Sequence, residues 1–112
     1  MRTYELLKWY LGRIEKFPRS HRYGLGQRIE TTLYAVFEGL VRASYTSGTV
    51  KAAELAEANL KLEILRMHGR LAHELTVLPH KSYEYASREL DEIGRMVGGW
   101  LKQQRTSRSS SA

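Results

Sequence analysis

Four histidines, twelve carboxylates and no cysteine are the residues of this 112-residue chain that could do chemistry. None is spaced for it. A di-iron centre in a helical bundle needs inward Glu and a Glu-x-x-His step on two helices, and no Glu here is followed by His three residues on. His68 and His73 are five apart, so on a helix they diverge by about 140° and cannot share a metal from one face. Ser20 adjoins His21, but neighbours on a helix end do not face each other as nucleophile and base. Gly24-Leu25-Gly26 lacks the third glycine of a dinucleotide fingerprint, and no strand precedes it. It reads as a place where helices pack closely, or as a weak point in one helix. The expectation is therefore a protein with no catalytic residue, no metal and no cofactor: not an enzyme, but a chain that works by binding.

The elements that must position any binding residue follow from periodicity. Hydrophobic residues make up 42%, enough for one core, and only Pro18 and Pro79 interrupt the chain. Leu7, Tyr10, Leu11, Ile14 and Phe17 recur at helical spacing after a possible cap at Thr3. Pro18 ends that first helix. A second helix, capped by Ser20, carries Leu25, Ile29, Leu33, Val36, Phe37, Leu40 and Val41 and runs to about Tyr45. Thr49 can cap a third, with Ala53, Ala56, Leu60, Leu65, Leu71 and Leu75 as its expected buried face. Glu57–Lys61 and Arg70–Glu74 form surface pairs on it. Ser82 can cap a fourth, with Ala86, Leu90, Ile93, Val97, Trp100 and Leu101 facing inward. The fold class expected is all-α, an antiparallel up-down-up-down four-helix bundle over residues 1–104. A disordered, basic, Ser-rich tail is expected over residues 105–112. The first helix, roughly 15 residues or about 22 Å, is too short to cover its neighbours. Leftover apolar surface favours a homo-oligomer over filling by Trp9, Trp100 and the tyrosines.

The net charge of +6 is unevenly spread: +5 over residues 1–28, −1 over 29–104 and +2 from Arg105 on. The up-down order brings the Pro18 and Pro79 connections to one end, where two helices start. Arg19, His21, Arg22, His80 and Lys81 sit at that end, and Arg13, Lys16 and Arg28 are further candidates for the same basic surface. Arg13, Arg19, Arg22 and Arg28 have no carboxylate three or four away within their own helix. Helix starts bear free N–H groups and partial positive charge, so a cation there is disfavoured and a phosphate is welcome. Arg88 and Arg95, by contrast, follow Glu84 and Asp91 by four. Lys102, leading into Arg105 and Arg108, extends the basic surface. The expected partner is RNA or DNA, held through its phosphate backbone, because no base-reading motif is present. An acidic protein face would use the same charge. No apolar run is long enough for a signal peptide or a membrane span, and the lack of cysteine suits a reducing cytoplasmic setting.

Three segments carry a family resemblance: KFPRSHRYGLGQRIE (Lys16–Glu30), EANLKLEILR (Glu57–Arg66) and YEYASRELDEIGRMVGGWLK (Tyr83–Lys102). Together they resemble the accessory variability determinant protein of diversity-generating retroelements. That family groups with the four-helix-bundle proteins encoded by intervening sequences in 23S ribosomal RNA genes. The resemblance runs from about Trp9 to Gln104. It implies a homopentamer with a central channel that binds DNA and RNA and associates with the retroelement's reverse transcriptase during mutagenic cDNA synthesis. On the same resemblance, Arg13, Lys16, Arg19, Arg22 and Arg28 are contact candidates for nucleic acid or polymerase. The alternative is a self-associating interaction module of the ribosomal-RNA-insert type, without a nucleic-acid role.

Overall fold

The computed structural model describes residues 1–110, with side chains through residue 104. It is all-helical: α1 (Arg2–Ile14), α2 (residues 19–44), α3 (Gly48–Glu74) and α4 (His80–Ser110). The helix α2 has three segments, Arg19–His21, a π-helical stretch Arg22–Gly26, and Gln27–Ser44. The four helices form a rod of 53 × 20 × 20 Å. Helix α2 packs on α3 and α3 on α4, while α1 lies against α2 and α4.

Pairs of residues fix the register. Arg2 meets Glu89 at 2.7 Å and Trp9 meets Tyr85 with ring centroids 4.8 Å apart. Tyr4 lies 6.0 Å from Phe37. Arg42 reaches Glu54 at 3.0 Å, whereas Arg28 and His68 line one pocket. Arg66 donates to Asp91 at 2.6 Å, whereas the rings of His73 and His80 are 5.4 Å apart.

The apolar stripes expected for the first, second and fourth helices form the core. Leu7, Tyr10, Ile14, Phe17, Leu25, Ile29, Leu33, Val36, Leu40, Ala86, Leu90, Ile93, Val97 and Leu101 are all buried. Leu11 and Phe37 pack at its margin, whereas Val41 and Trp100, expected to face inward, are exposed. The third helix is different. Leu55, Ala58, Leu62, Leu65, Gly69 and Ala72 face inward. Of the expected face only Leu65 is buried; Ala53, Ala56, Leu60, Leu71 and Leu75 are exposed. Two apolar series, on opposite sides of α3, compete in this stretch. The one that meets α2 and α4 is the one the core takes.

Helix ends also depart from expectation. Met1, Pro18 and Ser47, not Thr3, Ser20 and Thr49, occupy the N-cap positions, and none makes a side-chain capping bond. Thr3 is instead buried within α1. Ser82 lies within α4, which already begins at His80. Gly48 takes a φ of +64°, a conformation that costs glycine little. Helix α3 ends with Thr76 in the left-handed region at φ 59°. The Val77 N–H bonds to Ala72 O at 2.8 Å and the Thr76 N–H to His73 O at 3.0 Å. These two bonds are those of a Schellman cap.

The π-helical stretch ends in a close contact with α1. A Cβ on Gly26 would lie 2.9 Å from Ile14 Cγ2 and 3.4 Å from Phe17 Cδ2. The bare glycine lets the end of α1 press on α2. Gly24 has nothing within 4 Å, so close packing accounts for Gly26 alone.

Candidate nucleic-acid interface

The turn from α1 into α2 carries most of the sequence-predicted cations. Lys16 and Arg19 are exposed, and Arg13 and His21 are half-buried. Among the described residues no carboxylate lies within 4 Å of Arg13, Lys16, Arg19, Arg22, Arg28 or Lys81, since none belongs to an ion pair. Most other cations are engaged: Arg2, Lys8, Arg42, Lys61, Arg66, Arg70 and Arg95 each meet Glu or Asp. The first turns of α2 and α4 hold no acidic residue, so the N-terminal partial charges are uncompensated from within.

The candidates are not equivalent. Arg22 turns inward: its Nη2 donates to Phe17 O at 3.3 Å, and its Nε is buried without a partner. It shares a pocket of about 350 Å³ with Glu15 and Glu30. It therefore helps hold the turn, and Lys16 and Arg19 are the accessible charges beside it. His80 pairs with Glu84, which leaves Arg88 without the neutraliser that the i,i+4 spacing predicted. Arg95 pairs with Glu92 at 3.0 Å, because Asp91 is taken by Arg66.

Lys102 does not extend the basic end. It stands twenty-one residues beyond Lys81 on α4, about 31 Å along the axis. At that opposite end a pocket of about 370 Å³ is lined mainly by apolar residues, among them Met1, Leu40, Val41, Leu55 and Trp100, together with Tyr45 and Lys51. It opens where α1, only 13 residues long, stops short of its neighbours. Arg105, assigned to the basic surface from the sequence, and the expected 105–112 tail lie outside the residues whose side chains are described.

Arg28 sits apart from the turn, in a groove between α2 and α3. Gln27, Arg28, Thr31, Thr32, Ile64 and His68 line an open pocket of about 360 Å³ there. His68 is held below the usual imidazole pKa, first by desolvation and then by the nearby Arg28. Its Nδ1 is buried without a partner. The sequence reading passed over this set. The i,i+4 pairs Gln27/Thr31 and Arg28/Thr32 were available, but only the α2–α3 register brings His68 to them.

Helix α3 also shows a second apolar series to solvent. Leu60 is 55% exposed, Met67 62%, Leu71 45% and Leu75 45%, with Ile64 beside them. The 4-3-4-4 spacing places all five on one stripe, opposite the buried face. Among the described residues no three His, Asp or Glu are grouped to hold a metal ion, and no helix is long and apolar enough to cross a membrane.

The bAvd-like family model matches residues 1–104. No curated protein matches the chain at a significant level.

Proposed function

The chain belongs to the bAvd-like family, and on that premise we propose that it is a non-catalytic accessory protein of a diversity-generating retroelement. It binds RNA or DNA through the basic α1–α2 end and associates with the reverse transcriptase to support mutagenic cDNA synthesis. The observation that carries this reading is the run of unpaired cations, Arg13, Lys16, Arg19 and Arg28, with Lys81 at the start of α4. Excess positive charge without local carboxylates is what a polyanion needs, because each phosphate neutralised by a cation releases counterions.

Register supports bringing Lys81 to the same end. Arg2 meets Glu89 and Trp9 meets Tyr85, so one more turn carries the start of α4 toward Arg13 and Lys16. The opposed order of these pairs, and of the α2–α3 and α3–α4 pairs, supports an antiparallel up-down-up-down bundle. Contacts to phosphate would fix position and carry little sequence information.

The exposed stripe on α3 supports a homo-oligomer. Five large apolar side chains over sixteen residues span about 22 Å of helix, and patches of this kind mark interaction surfaces. A homopentamer, as the family resemblance implies, would repeat one modest basic patch five times and raise avidity with no further residue involved. A cytoplasmic setting suits a cysteine-free chain. The same stripe favours a second reading, a self-associating module whose basic face meets an acidic protein.

Filter binding of labelled RNA across a salt series separates the two. Retention that falls steeply with salt, and is lost in Lys16→Glu/Arg19→Glu, supports the accessory reading. No retention at low salt by a protein that still oligomerises overturns it in favour of the second.

A further inference from the structure

The groove between α2 and α3 holds hydrogen-bond donors that have no partner among the described residues of the protein. Gln27, Arg28, Thr31 and Thr32 project from α2, and His68 and Ile64 from α3. Among the described residues none of the α2 side chains has a hydrogen-bond or ion-pair partner. No carboxylate lines the pocket. Buried polar atoms are normally satisfied, so the orphaned His68 Nδ1 asks for a partner.

The chemistry of that partner follows from the donor set. A guanidinium, an amide and two hydroxyls approach from one helix and an imidazole from the other. A group that only accepts, through several oxygens at once, satisfies them together. Phosphate does so, and Arg binds it with two parallel N–H···O bonds. A carboxylate offers fewer oxygens and lies in a plane.

We propose that the pocket formed by Gln27, Arg28, Thr31, Thr32 and His68 seats one phosphate group of a nucleic-acid backbone. This deepens the nucleic-acid reading and rests on it for the source of the phosphate. The pocket begins one residue beyond the π-helical stretch. Arg28 is nine residues past Arg19, or about 14 Å along α2. With the anion in place His68 becomes a donor: the phosphate charge offsets Arg28, the charged group that faces the imidazole from α2, and favours the imidazolium.

Histidine NMR on the full chain tests this. The ring signals of His21, His68, His73 and His80 are titrated with pH in chloride, in inorganic phosphate at matched ionic strength, and with a short single-stranded RNA. The expected result is a rise in the His68 pKa with phosphate and, at far lower concentration, with RNA. Arg28→Gln removes both responses and weakens RNA binding about tenfold, and Thr31→Val/Thr32→Val, which keeps the charge, weakens the phosphate response. A response to phosphate but not to RNA supports the seat and overturns the nucleic acid as its source. No response of His68 to either ligand overturns the seat, even where filter binding shows that the chain retains RNA through Lys16 and Arg19.

Discussion

Gly26 of α2 stands so close to Ile14 of α1 that a Cβ on the glycine would lie 2.9 Å from Ile14 Cγ2. Ile14 is buried and β-branched, so it has one preferred rotamer in a helix and little room to retreat. Gly26→Ala is therefore expected to destabilise by about 1–3 kcal/mol, the range for overpacking a filled core. Gly24→Ala, two residues away with open space around it, should be neutral or stabilising, since alanine favours the helix by up to about 1 kcal/mol. Denaturant unfolding of the two variants side by side checks the contrast.

Thr76 closes the Schellman cap of α3 in a left-handed conformation that a β-branched residue adopts at a cost. Thr76→Gly relieves that strain, against the extra unfolded-state freedom of glycine. The expected net is a gain of about 0.5–1 kcal/mol, read as a higher unfolding midpoint with unchanged denaturant slope.

The outer stripe of α3 makes the oligomer separable from the fold. Leu60→Glu/Met67→Glu alters two exposed side chains and no core residue. Sedimentation velocity should show a shift toward monomer, while circular dichroism keeps the helical signal of the parent. An unchanged sedimentation coefficient would remove this stripe from the interface.

At the basic end, the logarithm of affinity for RNA is expected to fall linearly with the logarithm of salt. Removing one cation that neutralises a phosphate flattens the slope by about 0.7 for a single strand. Lys16→Glu/Arg19→Glu should therefore both weaken binding and flatten the line. Arg88→Glu, away from the turn, is the control.

His68 gives the fold a pH dependence of defined sign. Its pKa is lowered in the folded state, so below the ordinary imidazole value of about 6.5 the unfolded chain binds the proton more readily. Stability is fully present above that value and is lost as pH falls through the lowered one. Unfolding midpoints of the parent should drop from pH 7.5 to pH 5.5 by more than those of His68→Gln, and phosphate should narrow the difference.

Local chemistry was legible where one apolar series runs along a helix. Leu25, Ile29, Leu33 and Val36 have one face to bury, and spacing alone identifies it. Pro18 marks its boundary because a proline restricts the residue before it. The surface pairs Glu57–Lys61 and Arg70–Glu74 are likewise set by the pitch of one helix. In α3 the same logic fails, because Leu55, Leu62 and Leu65 lie opposite Leu60, Met67 and Leu71. Periodicity ranks the two faces nearly equal.

Asp91 shows why the charge pattern along one helix is incomplete. Its spacing to Arg95 invites a local pair, yet it bonds Arg66 of α3 at 2.6 Å. Gly94 leaves the room: a Cβ there would lie 2.7 Å from Arg66 Nη2. Such a partner belongs to the packing of two helices and has no trace in either one.

By itself the sequence determined four helices, the core faces of three of them, and a surplus of cations near the first turn. Those properties depend on chain neighbours, whose geometry a helix fixes at about 1.5 Å and 100° per residue. Only the tertiary structure decided which side of α3 is inside, that Arg22 turns inward, and that His68 meets Arg28. Each of these depends on how far one helix slides and turns against another, which the packing of the whole core fixes and no single segment encodes.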